Sequence, residues 1–343
     1  MISKRILALT AVAAFALSAC SSGSSAPSDD NCADTTVLCV GLITDTGKVD
    51  DKSFNQSAWE GAKAAADEAG GFSKYIETVD SKDYAANIKQ FTDKKYDVIV
   101  TVGFLMADAT VAAAAANPDT KFIGVDQFQG ATVENVTGLI FHEDQAGYAA
   151  GYLAGLLTKT NKLGQVLGLE IPPVQMFAKG FEAGAKAANP AVEVDTIYHP
   201  AGDNGFNDPV WGATEAKRQL DQGADIIFGA GGNTGNGALG EIAKAEGAGT
   251  SIYCIGVDSD QWNTVPAAQP CLVTSAMKLI TDGTKDLILA AKDGTISGGN
   301  FFGATGLAPY HDFDSKIDAS IKDKVAVIVA GLVDGTVVTG VTL

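Results

Sequence analysis

The sequence predicts an α/β protein of two doubly wound parallel-sheet lobes joined by a hinge, and three observations carry that prediction. Short β-rich runs alternate with Ala-rich helical stretches, the βαβ rhythm of a parallel sheet with helices on both faces. The second half of the chain nearly repeats the first. Between residues 40 and 70 an apolar strand passes through an acidic turn onto a helix whose first turn offers an aromatic ring and an amide.

Strands are expected at 37–44, 75–79, 98–102, 122–126 and 136–140 in the first half, and at 165–170, 193–198, 225–228 and 252–258 in the second. The repeat supports them in pairs. Ile123-Gly124-Val125-Asp126-Gln127 returns as Ile255-Gly256-Val257-Asp258 with Gln261 beyond it, and Tyr96-Asp97-Val98-Ile99-Val100 is matched by Ala224-Asp225-Ile226-Ile227-Phe228. Helices at 87–94 and 214–222 precede those strands, and Trp59-Glu60-Gly61-Ala62-Lys63 is echoed by Phe181-Glu182-Ala183-Gly184-Ala185-Lys186. Elements recurring in one order mark a duplicated unit. The lobes are expected to comprise residues 36–140 plus 278–305, and residues 141–277 plus 306–343. Their facing strand ends leave a cleft, and closure follows from contacts that exist only when the lobes meet.

Strand C-termini in open α/β sheets face the ligand crevice, and the next helix aims its free backbone N–H groups there. Asp45, Phe54 and Asn55 are therefore expected to share that crevice. Ser53 and Gln56 stand at capping-box spacing, which starts the helix at Ser53 and places Phe54 and Asn55 in its first turn. The competing reading of Phe54 is a hydrophobic plug at a helix start.

The N-terminus carries Lys4 and Arg5, an apolar run over 6–17, and then Leu17-Ser18-Ala19-Cys20. That run is shorter than the roughly 20 residues a membrane span needs, so residues 1–19 read as a secretory signal. A small-residue cleavage site ending in Cys is similar to the bacterial lipobox, which makes Cys20 the lipidated first residue of the mature chain. Residues 20–35 then form a lipidated tether, holding the folded part at the outer face of a cell membrane or at the periplasmic face of an envelope. Of five cysteines, four remain after Cys20, and an even remainder in an exported protein favours two disulfides, most simply Cys32 with Cys39 and Cys254 with Cys271.

A formal charge of −17 with no basic run in the mature chain argues against nucleic acid, anionic lipid and phosphorylated ligands. No metal is expected, because the three His residues (His142, His199, His311) stand far from each other and from every Cys. Gly235-Asn236-Gly237-Ala238-Leu239-Gly240 matches the dinucleotide fingerprint, but the preceding strand ends around Phe228, so the glycines start too late to form the tight turn. No Gly-x-Ser-x-Gly elbow and no P-loop are present, and paired acids such as Asp50-Asp51 read as favouring a helix dipole. Neither a cofactor nor an enzymatic activity is expected.

Several stretches then resemble a known family. They are Asp45-Thr46-Gly47 with Asp50-Asp51-Lys52-Ser53-Phe54-Asn55-Gln56-Ser57, Gly103-Phe104 with Asp108, Asn117-Pro118-Asp119, His142-Glu143-Asp144-Gln145-Ala146-Gly147-Tyr148, Ala230-Gly231-Gly232-Asn233-Thr234-Gly235-Asn236-Gly237 and Gly256-Val257-Asp258-Ser259-Asp260-Gln261. Together they resemble the basic membrane protein family of bacterial lipoproteins, whose members include purine nucleoside receptors feeding ABC transporters. The chain departs from the family in an inserted Asn233 and in the neighbours of Phe206.

The resemblance implies a type I periplasmic-binding-protein fold, a monomer and an ABC permease as partner. It implies a purine sandwiched between Phe54 and Phe206, its polar edge read by Asn55 and Asp108, and ribose hydroxyls held by Asp258. Lys278 lies on an expected interlobe crossover, bonding a sugar oxygen or steadying Asp258, while Gly231 and Gly232 let backbone approach the ligand. Asp45 and Asp126 rank as further contacts. The competing readings are solvated loop carboxylates for the acids and a surface position for Lys278. For the whole protein they are a receptor for a free sugar or other small polar solute, and a surface lipoprotein serving adhesion or signalling.

Overall fold

The computed structural model describes residues 27–30, 32–34 and 36–343; the expected signal segment and Cys20 lie outside these. Along the chain run β1 (Cys39–Thr44), α1 (Phe54–Glu68), β2 (Phe72–Ile76), α2 (Tyr84–Thr92), β3 (Val98–Val102), α3 (Ala107–Ala116), β4 (Lys121–Val125), β5 (Val136–Ile140) and α4 (Glu143–Leu157). These are followed by β6 (Lys162–Leu167), α5 (Pro172–Ala188), β7 (Glu193–Tyr198), α6 (Pro209–Asp221), β8 (Ile226–Ala230), α7 (Gly232–Ile242), β9 (Tyr253–Asp258) and α8 (Gln261–Thr264). The chain ends with β10 (Leu272–Lys278), α9 (Ile280–Lys292), β11 (Gly299–Phe302), β12 (Thr305–Leu307) and α10 (Ala319–Asp334).

The strands form two six-stranded sheets, ordered β11-β5-β4-β3-β1-β2 and β12-β10-β9-β8-β6-β7. Every pairing is parallel except β10 with β12. The central strands β1, β3, β5 and β8 are buried at every position, so they read as continuous apolar runs, as strands covered on both faces do. One face of the first sheet packs Val40, Leu42 and Val100 against Ala58 and Ala62 of α1 and Leu287 of α9; the other packs Ile43 and Ile99 against Ile88 and Phe91 of α2. In the second sheet, Phe228 packs under Phe177 and Phe181 of α5 on one side, and Ile227 under Ala238 and Leu239 of α7 on the other.

Helices α4 and α5 touch backbone to backbone. A Cβ on Gly151 would lie 1.9 Å from the Phe181 carbonyl oxygen, and one on Gly184 would lie 2.0 Å from that of Tyr148, so glycine spacing of four on both helices sets this approach.

The chain passes between the sheets three times: through Phe141 and His142 after β5, through Leu279 after β10, and through Gly303 and Ala304 after β11. His142 stacks on Phe302 at 5.0 Å between ring centroids, which ties the first crossing to the third. Lys278 and Thr305, expected in the first lobe, pair instead within the second sheet; Lys278 is the last residue of β10, one residue ahead of a crossing.

Two strands sit three residues earlier than expected. β2 ends at Ile76, and the Glu77 carboxylate beyond it accepts Lys48 Nζ and the Val49 N–H, both at 2.9 Å. β6 ends at Leu167, and the next residue, Gly168, lies under the Phe206 ring, where a Cβ would come within 2.3 Å of Cε1. Strands β10, β11 and β12 were not expected. β10 mixes polar with apolar residues yet is buried, its Thr274 hydroxyl donating to the Ala308 carbonyl at 2.7 Å and its Ser275 hydroxyl oxygen accepting the Gln261 N–H at 3.2 Å.

Disulfides join Cys32 to Cys39 and Cys254 to Cys271. The second closes a 17-residue separation between neighbouring core strands. Replacing Cys254 and Cys271 together by Ala is expected to lower the unfolding free energy by about 3 kcal/mol, read as a shifted denaturation midpoint.

Candidate functional site

The crevice begins with the start of α1. Asp51 caps this helix: its Oδ1 accepts the backbone N–H of Ser53 at 3.0 Å and of Gln56 at 3.1 Å, and its Oδ2 accepts that of Asn55 at 2.9 Å. The helix thus starts where the spacing predicted, but the expected Ser53 cap is not formed. The Ser53 hydroxyl instead crosses to the second lobe and donates to Asp258 Oδ2 at 2.8 Å. Three donated N–H bonds favour the charged Asp51 carboxylate, yet complete burial outweighs them and pushes its pKa up to about 7.

Between the sheets lies a cavity with about 540 Å³ of empty space, part of it open to solvent. The first lobe supplies Asp45, Phe54, Asn55 and Asp126, and the second supplies Phe206, Gly231, Gly232, Asp258 and Lys278. Ile171, Val174 and Phe177 add an apolar wall from the start of α5. Phe206 sits on the loop after β7. The Asn233 N–H bonds its carbonyl at 3.0 Å, Thr234 Oγ1 bonds the Gly205 carbonyl at 3.0 Å, and Asp208 caps α6 through the Trp211 N–H at 3.0 Å. Gly231 has φ +157°, and a Cβ there would meet the Gly168 nitrogen at 2.5 Å, so this close turn of chain at the cavity floor requires glycine.

Asp126, just beyond β4, and Asp258, the last residue of β9, share a left-handed backbone conformation, with φ 60° and 62°, and so turn into the cavity as a pseudo-symmetric pair. Lys278 Nζ lies between them, 2.7 Å from Asp126 Oδ2 and 3.7 Å from Asp258 Oδ1. Glu143, the first residue of α4 after the first crossing, approaches the same ammonium at 3.6 Å. The Phe54 ring centroid lies 4.6 Å from Nζ, with the rings of Phe141 and Phe177 at 5.4 and 5.5 Å. Burial lowers the affinity of Lys278 for its proton, but the three carboxylates more than reverse this and its pKa is raised.

The acids respond to the same environment. Burial, aided by the Asp51 and Asp126 charges, pushes Asp45 up to about 7. Burial takes Glu143 up to about 8 despite Lys278 and also raises Asp126 and Asp258. Two acceptors in the crevice have no hydrogen-bond partner: Asn55 Oδ1 and Asp126 Oδ1.

Asp108 is not brought together with these residues. It is exposed on the first turn of α3 and does not line the cavity. Sequence reasoning missed Glu143, the Ser53 bond to Asp258 and the α5 wall; the His142-Glu143-Asp144 stretch was the available signal for the first of these. The dinucleotide-like glycines fall inside α7 and form no tight turn.

Two α/β lobes, three crossings and a cavity lined from both sides define the periplasmic-binding-protein type of fold. The chain belongs to the family described as ABC transporter substrate-binding protein, PnrA-like, whose model matches residues 39–303. It is 30% identical over 357 residues to the ABC transporter nucleoside-binding protein BmpA of Lactococcus lactis, covering 97% of this chain and 98% of that one. It is 33% identical to the CD4+ T-cell-stimulating antigen of Listeria monocytogenes, covering 88% of each. Among solved structures, an ABC transporter solute-binding protein from Aeropyrum pernix superposes with a TM-score of 0.79 at 23% identity, covering 87% of this chain and 92% of that one. Among the described residues no helix is long and apolar enough to cross a membrane.

The raised carboxylates fix the sign of the pH dependence. Asp45 and Asp51 at about 7 and Glu143 at about 8 keep protons in the folded state that the unfolded chain has released, so stability falls as pH rises from about 4 to 8. Calorimetry is expected to give a higher melting temperature at pH 5 than at pH 8, with a shallower difference in Asp45→Asn. Lys278→Met leaves three buried acids without their cation and is expected to cost about 3–5 kcal/mol in denaturant unfolding at neutral pH.

Proposed function

We propose that the cleft captures a purine nucleoside and that the protein, anchored through a lipidated Cys20, delivers it to an ABC permease. The observation that carries this reading is that aromatic rings from both lobes, Phe54 and Phe104 from the first and Phe206 and Phe177 from the second, line a single cavity together with its acids and Lys278. A flat heterocycle between two rings gains roughly 1–3 kcal/mol of stacking per ring without needing a sequence code. Asn55 Oδ1, buried and without a partner, is suited to a base N–H, and Asp45 beside it takes the part that the resemblance implied for Asp108. Asp126 Oδ1, likewise unpaired, and Asp258 are suited to vicinal ribose hydroxyls, with Lys278 holding both acids in place. The name of the Lactococcus relative supports the same ligand class.

The charge of the site favours the nucleoside over its phosphate. Four lining carboxylates and Glu143 behind them face Lys278, the sole cation lining the cavity among the described residues, so a dianionic group gains little and loses its hydration. Titration calorimetry is expected to detect inosine, adenosine or guanosine and no binding of inosine monophosphate; binding of ribose alone rejects the proposal in favour of a sugar receptor. Phe206→Ala is expected to weaken nucleoside binding by about 5- to 150-fold with the melting temperature nearly unchanged. Mass spectrometry of the mature N-terminal peptide, with and without Cys20→Ala, checks the anchor.

A further inference from the structure

Outside the cavity, the second lobe grips the backbone that leads into α1. The Lys52 carbonyl oxygen, two residues ahead of Phe54, accepts hydrogen bonds from Thr264 Oγ1 at 2.7 Å and Ser259 Oγ at 3.2 Å. Gln261 Nε2 lies at 3.5 Å from the same oxygen and bonds Asn236 Oδ1 at 2.8 Å. The neighbouring carbonyl, that of Asp51, accepts Asn236 Nδ2 at 2.7 Å. Two consecutive carbonyls of the first lobe are thus held by side chains from α7, α8 and the turn after β9, none of which lines the cavity. Lys52 itself has φ 62°, a left-handed conformation that L residues rarely adopt and that persists where the surroundings hold it.

We infer that Thr264, Ser259 and Asn236 are positioning residues of the binding cleft: by clamping the carbonyls of Asp51 and Lys52 they hold the lobes closed and set Phe54 and Asn55 against the second lobe. Each bond spans the two lobes and is broken when they separate, so the clamp stabilises the closed form alone. A ligand enters the open form and leaves after reopening, which places the effect on dissociation rather than association. The clamp touches no ligand atom and therefore acts on any solute the cleft holds.

The test uses the full mature chain with two readouts: stopped-flow dissociation of inosine and the radius of gyration of ligand-free protein by small-angle X-ray scattering. Thr264→Val keeps the shape of the side chain and removes the donor; Thr264→Ser keeps the donor. Thr264→Val is expected to raise the dissociation rate about fivefold, the share of one hydrogen bond, with association within about twofold. The double variant Thr264→Val/Ser259→Ala is expected to increase the ligand-free radius of gyration, and Thr264→Ser to restore wild-type values. An unchanged dissociation rate and radius in the double variant overturns the inference, as does a Thr264→Ser variant as defective as Thr264→Val. If inosine does not bind at all, the nucleoside proposal fails and the scattering comparison alone decides the clamp.

Discussion

A single buried ammonium organises the cleft. Lys278 stands where β10 hands the chain over to the first lobe, and its charge is the counterweight to acids from both lobes: Asp126 from the first, Asp258 and Glu143 from the second. Without a cation among them, these carboxylates would repel each other in a medium that screens poorly. With it, closing the lobes brings Asp126 to Lys278 instead of to another bare acid. Placing the cation at a crossing has a mechanical consequence as well, because a residue next to the hinge moves little during closure. The first-lobe acid is carried to a site already prepared.

The start of α1 transmits the closure. Asp51 spends its carboxylate on three N–H groups of the helix, while its carbonyl and that of Lys52 are taken by the second lobe. Ser53 is thereby released from capping and bonds Asp258 across the cleft. Phe54 then projects from a helix end fixed from both sides. A conventional Ser53 cap would have left the second lobe without that bond, so the substitution of one cap for another couples local helix chemistry to the position of the lobes.

Most of the sheet architecture was legible because buried parallel strands leave apolar runs and because duplication wrote the pattern twice; the bounds of β3, β5 and β7 coincide with those expected. What escaped were elements whose chemistry depends on distant partners. β10 carries buried Thr274 and Ser275 and ends at buried Lys278, and the Ala308 carbonyl, the Gln261 backbone and the acids of the cleft satisfy these polar groups. β11 and β12 are four and three residues long, too short for any period to register. In the site, Asp45 was expected from strand-end topology, whereas Asp258 and Asp108 were implied by resemblance; Asp258 lines the cavity, and Asp108 stands on an exposed helix turn.

The excess of acids over cations also bears on how the cleft releases its solute. In the proposed complex, a ligand rich in N–H and O–H donors would satisfy Asn55 Oδ1 and Asp126 Oδ1 and stabilise charged carboxylates that burial otherwise holds toward protonation. When the lobes reopen, water can do the same, so the ligand has no advantage over solvent in the open state. In that reading affinity rests on the closed geometry, where fewer waters reach these acids and the donors of the solute take their place. A receptor built this way holds its cargo firmly while shut and gives it up once a partner separates the lobes, which is the behaviour that delivery to a transporter demands.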